Sequence, residues 1–90
     1  MSKIFKAFLL AFLAVPFAAN AVTVASWGGA YTESQIKAYK DTYSNPDIIQ
    51  FENYNGGLGE VRTQVESGNV AWDLVDVLPD QAITGCDEGL

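Results

Sequence analysis

The sequence predicts an α/β fold with a parallel sheet, and three observations lead to this prediction. Three short segments rich in β-branched and aliphatic residues, Val22 to Ser26, Ile48 to Tyr54 and Ala71 to Leu78, are predicted to be strands. The segments between them carry apolar residues at helical spacing. Strands separated by helices of this size favour βαβ crossovers, which place the strands parallel to one another. The expected order is βαβαβ, followed by the start of another helix.

The first 21 residues predict a secretory signal peptide. Lys3 and Lys6 form a basic start, Ala7 to Phe17 is an apolar run, and Ala19 to Ala21 has the small-x-small form of a cleavage site. A membrane-spanning helix needs about 20 apolar residues, so a membrane anchor is the weaker alternative. We therefore expect cleavage after Ala21 and an exported protein that begins at Val22.

The part of the chain from Val22 to Leu90 is strongly acidic. It contains all 11 acidic residues of the chain, and because Lys3 and Lys6 precede it, it contains only 3 of the 5 basic ones, for a net charge of −8. Nucleic acids and anionic membranes call for clusters of Lys and Arg, so neither is an expected partner. Cys86 is the only cysteine, which excludes an internal disulfide and a cysteine-based metal site. We predict neither a metal nor a cofactor.

The segment that follows the first strand is the leading candidate for a ligand site. The strand lacks a polar and apolar alternation, as is typical of a strand covered on both faces, and it runs through Trp27, Gly28 and Gly29 into a helix. Open α/β folds collect their ligands at this carboxyl edge of the sheet. The two glycines would let backbone N–H groups approach a ligand, or would simply allow a tight turn. Trp27 would contact the ligand or pack against the sheet edge.

The first helix is expected to begin at a capping box, with Thr32 as the N-cap residue and Gln35 at the third helical position. On this numbering Tyr31 and Ile36 would form a hydrophobic staple, which is the favoured role of Tyr31 over ligand contact. Ile36, Tyr39 and Tyr43 would then form the apolar face of the helix.

The next elements bring further polar groups to the same edge. Asn55, Gly56 and Gly57 end the second strand, where they would either offer polar groups to a ligand or form an ordinary turn. A second helix is expected from Leu58 to a stop at Gly68, and Pro79 suits the first turn of a last helix.

Two carboxylates lie in the predicted third strand. Asp73 and Asp76 are three residues apart, so they are expected on opposite faces and cannot form one carboxylate pair. Asp76 is the better candidate for an inward polar role, whereas Asp73 is typical of the start of a strand.

Four segments of the chain carry a family resemblance: Val22–Tyr31, Tyr54–Gly59, Gln64–Asp76 and Gly85–Leu90. Together, and behind an export signal, they resemble the start of the periplasmic solute-binding proteins of ABC importers, in the spermidine/putrescine-type group. In that family two α/β lobes close over a ligand, and the closed form docks on a membrane permease. The resemblance implies that residues 22–90 are the amino-terminal part of the first lobe, without the rest of that lobe and without the second lobe.

The resemblance also implies a function, which is to capture a small polar solute in the periplasm and to deliver it to an ABC-type membrane permease. It further implies that the complete protein is a monomer. The solute would be a polyamine or a related amine or amino-acid-like compound. Trp27 matches the aromatic residue that lies against the ligand in polyamine-type relatives. Those relatives carry hydroxyl and aromatic side chains where this chain has Leu78–Gln81, which weakens the polyamine assignment. The predicted ligand-binding residues are Ser26, Trp27, Gly28, Gly29, Tyr31, Asn55 and Asp76.

Two other functional classes remain open. The chain could be a truncated fragment that cannot close on any ligand, because its predicted elements leave one lobe unfinished. An exported enzyme is the weaker alternative, since the sequence has no histidine, no serine-centred elbow and no well-placed carboxylate pair. We therefore expect a binding protein and not an enzyme.

Overall fold

The computed structural model describes residues 21–90, so the predicted signal peptide lies almost entirely outside the described residues. The described elements, in order, are β1 (Val22–Ser26), α1 (Gly29–Gln35) with a π-helical continuation (Ile36–Lys40), a 3₁₀ turn (Pro46–Ile48), β2 (Ile49–Asn53), α2 (Gly59–Ser67), β3 (Leu74–Val75) and α3 (Pro79–Asp87).

The three strands form one parallel sheet with β1 in the centre, in the order β2-β1-β3. Val24 of β1 lies opposite Phe51 of β2 on one side and Leu74 of β3 on the other. The helices alternate with the strands along the chain. The predicted α/β class and the parallel sheet are therefore confirmed, and the sheet is small and open, as an incomplete lobe would be.

The core lies on one side of the sheet. Ala25, Tyr54 and Trp72 are the buried apolar residues, and Val61 of α2 and Val75 of β3 pack against them. The rings of Tyr54 and Trp72 meet with centroids 5.2 Å apart and tilted planes, a geometry that aromatic pairs favour. The other side of the sheet is much less covered, since Leu74 is 60% exposed there.

The third strand is shorter than predicted, because it spans Leu74–Val75 and not Ala71 to Leu78. The side chain of Gln64, on α2, explains the later start of the strand. Its Oε1 accepts hydrogen bonds from the backbone N–H groups of Ala71 and Trp72, at 3.0 and 3.3 Å. Backbone donors that are satisfied by a helix side chain are not available to a strand ladder. The second strand likewise begins one residue late, after the turn at Pro46–Ile48.

The predicted capping box of the first helix is wrong. The helix begins at Gly29, so Thr32 lies inside it and is not the N-cap residue. Gly28 and Gly29 have φ of 87° and 54°, and these left-handed conformations, which favour glycine, let the chain enter the helix earlier. Tyr31 correspondingly stacks on Trp27 and does not precede a cap.

The ends of the other helices are as predicted. Gly68 ends α2 with φ of 73°, in the left-handed conformation that a C-terminal glycine supplies. Pro79 occupies the first turn of α3. A backbone N–H at this position has no acceptor within the helix, so proline costs no hydrogen bond there. Cys86 of α3 is a free thiol and is exposed.

A segment with so small a core should not fold cooperatively on its own. We expect isolated Val22–Leu90 to show a broad, shallow thermal change by circular dichroism, because only three apolar side chains are buried and one sheet face is largely open. A sharp transition with an enthalpy of about 0.7 kcal/mol per residue would contradict this expectation.

Candidate functional site

Trp27 lies at the carboxyl end of the central strand, immediately after β1. Its side chain remains 36% exposed, and its ring stacks on Tyr31, which is 46% exposed, with centroids 4.9 Å apart and planes inclined by 31°. An exposed stacked pair presents a broad aromatic surface that can attract an alkylammonium group or cover an apolar one. The structure therefore brings two of the predicted site residues together.

The Gly28-Gly29 turn is held in place by Thr32. The backbone N–H of Gly28 donates to Thr32 Oγ1 at 2.8 Å, and Thr32 Oγ1 donates to Asn53 Oδ1 at 3.0 Å. A side chain at position 28 would be disfavoured for two reasons. Its β-carbon would lie 3.4 Å from Asn53 Cγ, and the left-handed backbone conformation would be strained for a residue other than glycine. Because Thr32 is buried, this link fixes the turn against the end of β2. Sequence reasoning assigned Thr32 to a cap and missed this role.

The loop after β2 reaches the same edge of the sheet. Asn55 Oδ1 accepts a hydrogen bond from Gly57 N–H at 3.2 Å. This bond forms an Asx-type turn, and a turn is one of the two roles predicted for Asn55. Gly56 has φ of 93°, and a β-carbon there would lie 3.5 Å from Trp27 Nε1. The loop can approach the indole this closely because it has no side chain at position 56.

A small cleft of about 350 Å³ lies between these loops and the start of α3. It is lined by Trp27, Asn55, Gly56, Leu78 and Gln81. The volume is within the range of ligand pockets, about 300–1,000 Å³. We call this cleft, together with Gly28, Gly29 and Tyr31, the rim site.

Gln81 joins two walls of the rim site. Its Oε1 accepts from the N–H of Leu78 at 3.0 Å, and its Nε2 donates to the carbonyl oxygen of Gly56 at 2.8 Å. Both ends of the amide are thus used, one to cap α3 and one to hold the Gly56 loop. The sequence contained a signal for this residue, since Gln at the third position after a helix N-cap is the acceptor of a capping box.

Ser26 and Asp76 lie outside the rim cleft. Ser26 is fully buried, and Asp76 lines a separate groove on the less covered face of the sheet. Asp73 has the predicted strand-start role, because its Oδ2 accepts from the N–H of Thr23 at 2.8 Å. Of the seven predicted site residues, Trp27 and Asn55 line the cleft and Tyr31 stacks on Trp27, whereas Gly29 lines a different pocket.

Among residues 21–90, no three or more His, Cys, Asp or Glu side chains lie close enough together to hold a metal ion. In the same part of the chain, no helix combines the length and the apolar composition needed to cross a membrane.

Comparison with known proteins gives one informative similarity. No family model matches the sequence. Over 86 residues the chain is 38% identical to the gamma-aminobutyric acid-binding protein of Pseudomonas aeruginosa. The similarity covers 92% of this chain but 24% of that protein, so the chain spans about a quarter of the length of this relative.

The hydrogen bonds of Gln81 can be tested without a ligand. We expect Gln81→Ala to speed amide hydrogen exchange of residues 54–58 several-fold, because the lost hydrogen bond to the carbonyl oxygen of Gly56 contributes about 1 kcal/mol to holding the loop. Gln50→Ala is the matched control, since Gln50 is exposed on β2. Equal exchange in the two variants would mean that Gln81 does not position the loop.

Proposed function

We propose that this chain is the amino-terminal part of a periplasmic solute-binding protein, which captures a small polar solute and delivers it to an ABC-type membrane permease. The observation that carries the proposal is the 38% identity to a gamma-aminobutyric acid-binding protein across 92% of the chain. The position of the rim site supports it independently, because the cleft lies at the carboxyl edge of a parallel sheet, where α/β proteins bind ligands.

The solute that suits the proposal best is an amino-acid-like amine. The relative is named for γ-aminobutyric acid, which carries an ammonium and a carboxylate, and not for a polyamine. The ammonium end would lie against the face of Trp27, where a cation gains about 0.5–2 kcal/mol. Asn55 would supply a polar group beside it, and Gly28 and Gly29 would allow close approach of the backbone. Ligand contacts from Ser26 and Asp76 stay predictions.

The proposed mechanism is lobe closure without bond-making chemistry. The rim site forms one side of the cleft, and a second lobe would supply the other side. A solute can favour the closed state only through contacts that it makes better in that state. The exposed Trp27–Tyr31 pair suits this requirement, because a solute held against it would gain the contacts of the second lobe only on closure.

A second candidate follows from the length of the relative. Since the chain spans about a quarter of that protein, it would be a fragment without transport activity if nothing follows Leu90. Reading the DNA beyond the Leu90 codon distinguishes the two candidates. An open frame that encodes a second lobe supports the binding protein, and a stop codon supports the fragment.

Solute binding is tested by calorimetry on the complete protein with γ-aminobutyric acid, putrescine and butyrate. We expect stoichiometric binding of γ-aminobutyric acid, weaker binding of putrescine, and none of butyrate, because butyrate lacks the ammonium group. Absence of binding by all three compounds would contradict the proposal, as would conversion of the bound compound to a product.

The contribution of Trp27 is tested in the same assay. We expect Trp27→Ala to lower solute affinity several-fold or more and Trp27→Phe to lower it less, because an aromatic face is retained. Ile83→Ala is the control, since Ile83 is a large apolar side chain on α3 with 65% exposure. Unchanged affinity of Trp27→Ala would assign the indole to packing alone.

A further inference from the structure

The backbone is anchored on both sides of Trp27 by two different elements. On the strand side, the carbonyl oxygen of Ser26 accepts a hydrogen bond from the N–H of Tyr54 at 2.8 Å. On the helix side, Thr32 contacts both backbone polar groups of Gly28. Its Oγ1 accepts from the N–H of Gly28 at 2.8 Å, and its own N–H donates to the carbonyl oxygen of Gly28 at 3.2 Å. The position of the indole therefore depends on these two anchors.

The side-chain hydroxyl of Thr32 has a fixed direction in this anchor. A backbone N–H can only donate, so Thr32 Oγ1 is the acceptor for Gly28, and its single proton is donated to Asn53 Oδ1, 3.0 Å away. These three polar groups form one chain that runs from the turn through α1 to the end of β2. Serine could make the same two bonds, whereas valine has nearly the shape of threonine and could make neither.

The turn depends on this hydroxyl because it is built from two glycines. Gly28 and Gly29 have positive φ and carry no side chain that could pack, and glycine loses more conformational freedom than any other residue when it becomes ordered. Thr32 is 7% exposed, so water is poorly placed to replace its hydroxyl. Loss of the hydroxyl would therefore remove the acceptor of the Gly28 N–H and release the turn.

The stacked aromatic pair lies directly beside this anchor. Trp27 precedes Gly28 and Tyr31 precedes Thr32 in the chain, and the centroids of the two rings are 4.9 Å apart. The hydrogen bonds between residues 28 and 32 therefore hold the backbone positions that carry the rings at a fixed separation. The effect reaches the rim through the backbone, because the cleft itself is lined by Trp27, Asn55, Gly56, Leu78 and Gln81.

We propose that Thr32 is a positioning residue for the aromatic surface of the rim site and that its hydroxyl thereby sets the affinity for the solute. This proposal rests on the proposed function, because it requires that Trp27 contacts a solute. It differs from a purely structural role of Thr32 in one respect. A structural threonine contributes to stability alone, whereas a positioning threonine also determines where the indole lies when no solute is bound.

The effect on affinity is tested by calorimetry on the complete protein with γ-aminobutyric acid. We expect Thr32→Val to lower the affinity about fivefold or more and Thr32→Ser to stay within about twofold of the wild type, because serine retains the hydroxyl. Thr42→Val is the matched control, since Thr42 is exposed and its hydroxyl donates within its own segment, to the carbonyl oxygen of Ala38 at 2.7 Å. We expect this variant to bind as the wild type does.

The position of the indole is tested without solute, from the indole ¹H–¹⁵N signals of the ¹⁵N-labelled complete protein. We expect Thr32→Val to shift or broaden the signal of Trp27 and to leave that of Trp72 in place, because Trp72 is buried and its indole N–H donates to Glu52. Thr32→Ser should restore the wild-type signal of Trp27.

The proposal is overturned if Thr32→Val binds the solute as tightly as the wild type, or if Thr32→Ser weakens binding equally. A lower unfolding midpoint with an unchanged Trp27 signal would also overturn it, because that result leaves Thr32 a structural role alone. Should Thr32→Val fail to fold, Asn53→Ala removes the acceptor of the hydroxyl at an exposed position and is judged by the same criteria against Asn53→Asp, which keeps an acceptor. If the wild type binds none of γ-aminobutyric acid, putrescine and butyrate, the proposed function fails, whereas the indole signals still decide whether Thr32 positions Trp27.

Discussion

Tyr54 joins the carboxyl ends of all three strands, and the remainder of the structure depends on this junction. Its N–H donates to the carbonyl oxygen of Ser26, at the end of β1, at 2.8 Å. Its hydroxyl donates to the carbonyl oxygen of Asp76, just after β3, and its ring packs on Trp72. One residue, directly after β2, thus fixes the edge of the sheet from which the loops of the rim site begin, through its backbone N–H and its side chain.

The loops above this edge are held by side chains from other elements. Thr32 of α1 links the Gly28 turn to Asn53, and Gln81 of α3 links the start of its own helix to the Gly56 loop. The hydrogen bonds of Thr32 to Asn53 and of Gln81 to Gly56 join residues 21 and 25 positions apart, so the shape of the rim site is a property of the fold and not of any one motif.

Much of the fold could be predicted from the sequence, because its signals are local. The β-branched run of β1, the glycine that ends α2 and the proline that begins α3 each act through the conformation of a few neighbouring residues. The length of β3 could not be predicted in this way. Gln64 competes for the backbone donors of the preceding residues, and that competition depends on how α2 packs against the chain.

The candidate site could likewise be predicted only where its signals are local in the sequence. The position of Trp27 at a strand end follows from the local pattern, whereas its stacking on Tyr31 depends on where α1 begins. The threonine at position 32 suggested a cap, but glycines in left-handed conformation moved the start of the helix. Long-range hydrogen bonds, such as that of Gln81 to Gly56, leave only a partial trace in the sequence.

Contact between a solute and the aromatic rim at Trp27 can be measured directly, because the chain has two tryptophans in different surroundings. Trp27 is partly exposed at the rim, whereas Trp72 is buried and its indole N–H donates to Glu52, so Trp72 serves as an internal control. In ¹⁵N-labelled complete protein titrated with γ-aminobutyric acid, we predict a saturable shift of the Trp27 indole signal and a much smaller change for Trp72. An unchanged Trp27 signal at saturating solute, with or without a shift of Trp72, would mean that the solute does not contact the aromatic rim.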